Sequence, residues 1–161
     1  MNAIDRQQLQ LMLEAAKIKP RIRRDLRFVP EEINDWGDRD FIAITNRSSS
    51  EGVLVVLSEA QYIVPFRLQR RKPNAHGRIE AIICDICMTW QRGAHSAVIS
   101  FQRDKSSVSF LCCADLLCSL HVRDKTAQAA LSRAQLRESI TVDDRVGRLK
   151  ARLAKIIKSA I

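Results

Sequence analysis

All five cysteines of this 161-residue chain fall between positions 84 and 118. That clustering constrains the fold more than any other feature. Disulfides are rare in a reducing compartment, and a tight group of thiols in such a chain asks for a metal ion. The pattern is Cys84-x2-Cys87, then 25 residues, then Cys113-x4-Cys118. A Cys-x2-Cys turn is a zinc knuckle, which brings two sulfurs to about 2.3 Å from one zinc ion. A spacing of x4 suits a ligand pair in which Cys113 stands where a helix begins and Cys118 lies in its early turns. Cys112 competes for the third position, but alternation along the preceding strand turns it to the opposite face, which favours Cys113. The set Cys84, Cys87, Cys113 and Cys118 predicts one structural zinc. The bland alternative, five ordinary buried thiols, does not explain the knuckle spacing.

Four thiolates close a tetrahedral sphere and leave no position for water, so a catalytic zinc is not expected. The His-x-Glu and Pro-Cys-x-x-Cys pair of the zinc deaminases is missing. So are the P-loop, GxGxxG and GxSxG signatures. The three histidines, His76, His95 and His121, are isolated in the sequence. Asp143 and Asp144 suit the positive end of a helix better than acid–base chemistry. The chain reads as a binding module, with no small-molecule substrate expected.

Around the cysteines the pattern is mixed. Residues 3–18 carry a helical apolar face, and Pro20 ends it. Pro30 to Trp36 reads as a short helix. Phe41–Thr45, Val53–Leu57 and Tyr62–Leu68 read as strands. Ala97–Phe101 and Val108–Leu111 form a hairpin with a charged tip, QRDKSS. Ala114–Arg123 reads as a helix, and a short helix or loop follows around Ala127 to Leu136. A last helix, capped by Thr141 or Asp143, runs to about Ser159 with Val146, Leu149, Leu153, Ile156 and Ile157 on one stripe. The predicted fold class is α+β: a treble-clef zinc finger (knuckle, hairpin, helix) with additional antiparallel strands and flanking N- and C-terminal helices. Residues 1–29 read as an N-terminal helix and basic arm, and 30–161 as the zinc-binding domain.

Net charge is +9. It gathers in three clusters, at Lys17–Arg27, Arg67–Arg78 and Arg145–Lys158, which points to an anionic partner. Aromatic residues make up only 5% of the chain, so stacking on single-stranded bases is not expected. No run of about 18 apolar residues is present, and Met1–Gln10 lacks the apolar core of a signal peptide, so a cytoplasmic location away from membranes is expected.

Three segments, CDICMTW (84–90), FLCCADLLCSLHVR (110–123) and ESITVDDRVGRLKARL (138–153), resemble the C-terminal treble-clef zinc finger of the FusB/FBP family, the elongation factor G-binding proteins. The likeness covers roughly residues 30 to 160 and places Cys113, within CADLLCS, as the third ligand. It implies a module that engages elongation factor G and/or the ribosome with its rRNA, and favours release of the factor as in protection from fusidic acid. It also implies a contact surface around the knuckle and hairpin: Asp85, Ile86, Trp90, Arg92, Arg103, Lys105 and Ser107. Met88 stands where the family has His, His121 where it has Tyr, and Cys112 is additional. Full FusB-type proteins carry an N-terminal helical bundle, for which this chain has too few residues before position 30. An RNA- or DNA-binding zinc protein with another partner is the alternative function.

Overall fold

The computed structural model describes residues 1–57 and 61–161. In chain order the elements are α1 (Arg6–Ala15), α2 (Pro20–Asp25), β1 (Phe41–Thr45), β2 (Glu51–Leu57), β3 (Gln61–Arg70), β4 (Ile82–Ile83), β5 (Trp90–Gln91), β6 (Ser96–Gln102), β7 (Ser107–Cys113), α3 (Cys118–Val122), α4 (Ala127–Leu136) and α5 (Val142–Ala160). Five strands form one antiparallel sheet in the order β1-β2-β3-β6-β7, and β4 pairs with β5 in a separate two-stranded ribbon. The architecture is α+β, with a buried four-cysteine cluster of treble-clef type.

Strand β2 explains how the sheet is layered. Val53, Leu54, Val55 and Val56 are all buried, so this strand reads as an unbroken apolar run because both of its faces are covered. One face packs with Phe41, Phe66, Leu68, Ile99 and Phe101 against Leu149, Leu153, Ile156 and Ile157 of α5. Each of those aliphatic side chains contributes roughly 2 kcal/mol by leaving water. The other face, through Ile42, Ile44, Val53 and Val55, packs against Leu9 and Leu13 of α1, Ile22 of α2 and Ile18 between them. Further along the sheet that second cover stops. Strand β3 alternates, with Val64, Phe66 and Leu68 buried while Arg67 and Gln69 are exposed. Pro65 fits in β3 because pairing to β6 involves only Arg67–Arg70, so the proline has an open side.

Several local details differ from the sequence expectation. The N-terminal helix is shorter than 3–18. Asp5 caps it and forms a reciprocal capping box with Gln8. It ends before Lys17, whose positive φ of 53° turns the chain. Pro20 then opens a second helix at its first position instead of merely ending the first. Pro30–Trp36 is not one helix but two isolated 3-10 turns, Pro30–Glu32 and Trp36–Asp38, because Ile33, which follows the first turn, takes extended backbone. The helix expected at Ala114–Arg123 begins only at Cys118. Leu116 takes a left-handed conformation, φ 54°, which breaks any helix across 114–117. Thr141, not Asp143, caps α5.

The knuckle docks on the free edge of β7. The Asp85 N–H donates to the Leu111 carbonyl at 2.8 Å, and the Leu111 N–H donates to the Asp85 carboxylate at 2.7 Å. After it, Gly93 presses on the chain at Ile79, where a Cβ would stand 1.9 Å from the Ile79 carbonyl oxygen. Gly93→Ala is therefore expected to destabilise by about 3 kcal/mol in chemical denaturation. Gly147 lies within α5 with nothing within 4 Å, so Gly147→Ala is expected to stabilise by about 0.8 kcal/mol in the same experiment.

Candidate metal centre

The centre is assembled from three short pieces that no single element contains. Cys84 and Cys87 flank the knuckle between β4 and β5. The Met88 N–H closes this turn onto the Cys84 carbonyl at 2.8 Å, with Met88 itself left-handed at φ 59°. Cys113 is the last residue of β7, and Cys118 is the first of α3. Between them the Leu116 N–H bonds the Cys113 carbonyl at 3.1 Å, and the Leu117 N–H bonds the Asp115 carboxylate at 3.0 Å. That tight turn makes the x4 spacing work as strand end to helix start.

All four sulfurs are buried and lie within 4.8 Å of one another. Cys84 Sγ stands 3.8 Å from Cys118 Sγ, and Cys87 Sγ 3.6 Å from Cys113 Sγ. A tetrahedral ion with bonds of about 2.3 Å sets its sulfurs about 3.8 Å apart. A disulfide would need about 2.05 Å, and all five cysteines are free. The donor set thus fits one structural zinc. Charge says the same. Burial, together with the Cys84 and Cys87 sulfurs, pushes Cys113 up, and the neighbouring Cys113, Cys84 and Cys87 sulfurs push Cys118 up. Burial opposes charge on Cys87 as well, yet hydrogen bonds from the other three cysteines and His121 hold it well below the ordinary thiol range. Four buried thiols in contact cannot all ionise on their own, and a divalent cation is what lets them. Cys112 is not one of the four. Burial holds its thiol far up, so it stays neutral.

A surrounding layer of polar groups escaped the sequence reading. Thr89 Oγ1 lies 2.9 Å from Cys87 Sγ, and Gln91 Nε2 donates to Thr89 Oγ1 at 2.8 Å. Both side chains are buried. The Gln91 amide directs the Thr89 hydroxyl toward the sulfur. His121, isolated in the sequence, is not isolated in space. Its Nδ1 is 3.3 Å from Cys113 Sγ and its Nε2 is 3.4 Å from the Asp115 carboxylate. Burial works against its charge, but Asp115 and the Cys87 thiolate outweigh that and raise it to about 9. A protonated His121 would offset part of the net negative charge of a zinc held by four thiolates. A signal for it was present: Cys118-x2-His121 puts both on one face of a helix. Thr89→Val keeps the shape and removes the hydroxyl. It is expected to weaken zinc binding by about 10-fold or more in competition with a chromogenic chelator.

The implied contact residues do not form one patch. Ile86 is fully buried beneath the knuckle and has no surface to offer a partner. Trp90 is half-buried, its N–H donating to Ser132 Oγ at 2.8 Å and its carbonyl accepting from Gln128 at 2.9 Å. Arg92 is exposed beside it. Arg103, Lys105 and Ser107 sit at the tip of the β6–β7 hairpin, six residue pairs from the Ser96–Cys113 pair at the metal end. At about 3.3 Å per residue that is roughly 20 Å away. The basic clusters are also partly committed. Arg145 is buried against Asp124 at 2.6 Å, Arg148 pairs with Glu138 at 2.6 Å, and Arg71 donates to the Glu80 carbonyl at 2.6 Å.

A family model for the FBP C-terminal treble-clef zinc finger matches residues 23–160. The chain belongs to that family. The match takes in the knuckle, both ends of the hairpin, α3 and α5, so the four-cysteine cluster is the zinc centre of an FBP-type finger. Neither a curated protein nor a solved structure gives a significant match. No helix among the described residues is long and apolar enough to cross a membrane.

Proposed function

We propose that this FBP-type finger is a cytoplasmic, non-catalytic binding module that engages elongation factor G and/or the ribosome and favours release of the factor. The observation that supports it is the family match across 23–160, which includes the CADLLCS block. The four cysteines serve as zinc ligands and hold the knuckle on the edge of β7. Asp85 spends its carboxylate on that docking, so its role is to set the posture of the surface. Trp90 and Arg92 at the metal end carry the protein contact. Arg103, Lys105 and Ser107 extend it along the hairpin. With its sphere closed by sulfur, the metal shapes this surface and takes no part in chemistry.

Tagged protein drawn from a lysate tests the reading. The expected result is recovery of elongation factor G or ribosomal subunits, reduced at least tenfold for Arg92→Glu. Recovery of neither by the zinc-loaded wild type would refute it.

A further inference from the structure

The step where the N-terminal helices stop covering the sheet forms a groove of about 520 Å³ on the face opposite α5. Its floor is the uncovered half of the sheet. There the register aligns Arg67 with Ser100, which lines the groove with Ser107 and whose hydroxyl bonds that of Ser109, its neighbour outside the groove, at 2.8 Å. Its wall is the elbow between α1 and α2, carrying Lys17 and Lys19. Its rim is the hairpin tip, carrying Arg103. Glu51 is held inside by both of its oxygens on Arg21, each at 2.8 Å. Lys17, Lys19, Arg67 and Arg103 are exposed, and none makes an ion pair among the described residues. Among the described residues Asp104 is the one other carboxylate that lines the groove.

From this juxtaposition of four unpaired cations and a hydroxyl-bearing floor, we infer that the groove binds the phosphate backbone of RNA. Separated cations along a cleft neutralise successive phosphates. Serine hydroxyls donate to phosphate oxygens and also accept from the 2′-hydroxyl, the group that distinguishes RNA from DNA. Among the described residues the only aromatic ring lining the groove is Phe66, buried in the sheet, so bases are not read by stacking. Lys17, Lys19 and Arg21 of the first basic cluster and Arg67 of the second, far apart in the chain, meet here with the hairpin tip. The groove deepens the ribosomal part of the proposed function. It lies on the sheet face away from α5, shares Arg103 and Ser107 at the hairpin tip with the proposed protein contact, and does not use Trp90 or Arg92.

The test is binding of a fluorescein-labelled rRNA stem-loop to the zinc-loaded chain across a salt series. A DNA stem-loop of the same sequence runs beside it. For the wild type the log–log slope is expected near −3, as for about four phosphate contacts. Lys19→Gln/Arg67→Gln should weaken RNA binding about tenfold and flatten the slope by roughly 1.5. Lys155→Gln/Lys158→Gln on α5 removes the same charge and should leave both unchanged. Zinc content and thermal melting confirm that each variant is folded. Equal weakening by the two pairs would reduce the effect to net charge and overturn the inference, as would equal affinity for DNA. The lysate pull-down fails independently: a groove variant that loses RNA but still recovers elongation factor G supports both readings. A wild type that binds RNA through the groove but recovers neither elongation factor G nor ribosomal subunits sinks only the proposed function.

Discussion

Stripping the zinc, or replacing Cys118 with alanine, is expected to unfold the metal half of the chain and leave the N-terminal half partly packed. A structural zinc supplies about 10–16 kcal/mol of apparent binding free energy in finger peptides. That is as much as the whole stability of an ordinary domain. The knuckle, the Cys113–Cys118 turn and the five-residue α3 are too short to hold their shape alone, and their packing in the core, through Ile86 and Val122, depends on the metal joining them. The cluster of α1 and α2 on β1 and β2 contains no metal-site residue. The chain's two tryptophans report on the halves separately. Trp36 packs edge-on against Phe28, ring centroids 6.4 Å apart, and Trp90 sits in the ribbon beside the metal. Chelation should shift the fluorescence of a Trp36→Phe variant strongly and that of a Trp90→Phe variant weakly. Acid should act like the chelator, because zinc needs thiolates and protons compete for them, so zinc retention falls as pH falls. Cys118→Ala protein that still carries stoichiometric zinc would refute the ligand set.

Asp124→Ala is expected to cost about 3 kcal/mol, nearly all of it from one buried cation. Asp124 accepts from Arg145 at 2.6 Å and from Arg133 at 2.7 Å, and the Arg145 side chain is only 5% exposed. Removing the carboxylate strands Arg145 in the interior between α3 and α5. Arg133 is 45% exposed and loses little, since water replaces its partner. Asp124→Ala combined with Arg145→Met should recover much of the loss, because an apolar side chain of similar size needs no partner there. Denaturant melts of the two variants check this. A double variant no more stable than the single would show that the aspartate matters through its left-handed backbone, φ 59°, instead.

The sequence carried the outline of the site better than its setting. Knuckle spacing follows from metal geometry, and the β-branched runs at 53–57 and 97–101 follow from strand packing, so both were readable. The segment around Ala127 to Leu136, read as a short helix or loop, is helix α4. What was not readable depended on contacts distant in sequence or on backbone that residue types do not announce. Leucine rarely adopts the left-handed conformation that Leu116 takes, so the late start of α3 had no local signal. Arg145 reads as one more cation on a basic helix, and only the carboxylate 21 residues earlier makes it a core residue. The contact set that joined the knuckle to the hairpin tip came from the family resemblance, not from any spacing in the chain. The length of a seven-residue strand separates them in space.

The docking of the knuckle on β7 also bears on solubility. By bonding Leu111 on both its N–H and its carbonyl, Asp85 occupies part of the outermost strand of the sheet. An uncovered edge strand is a template for another copy of the chain. β7 has no proline or lysine of its own to discourage that pairing. If loss of the zinc released the knuckle, the sheet would be open to growth at that border, and self-association of the chain is expected to rise on chelation.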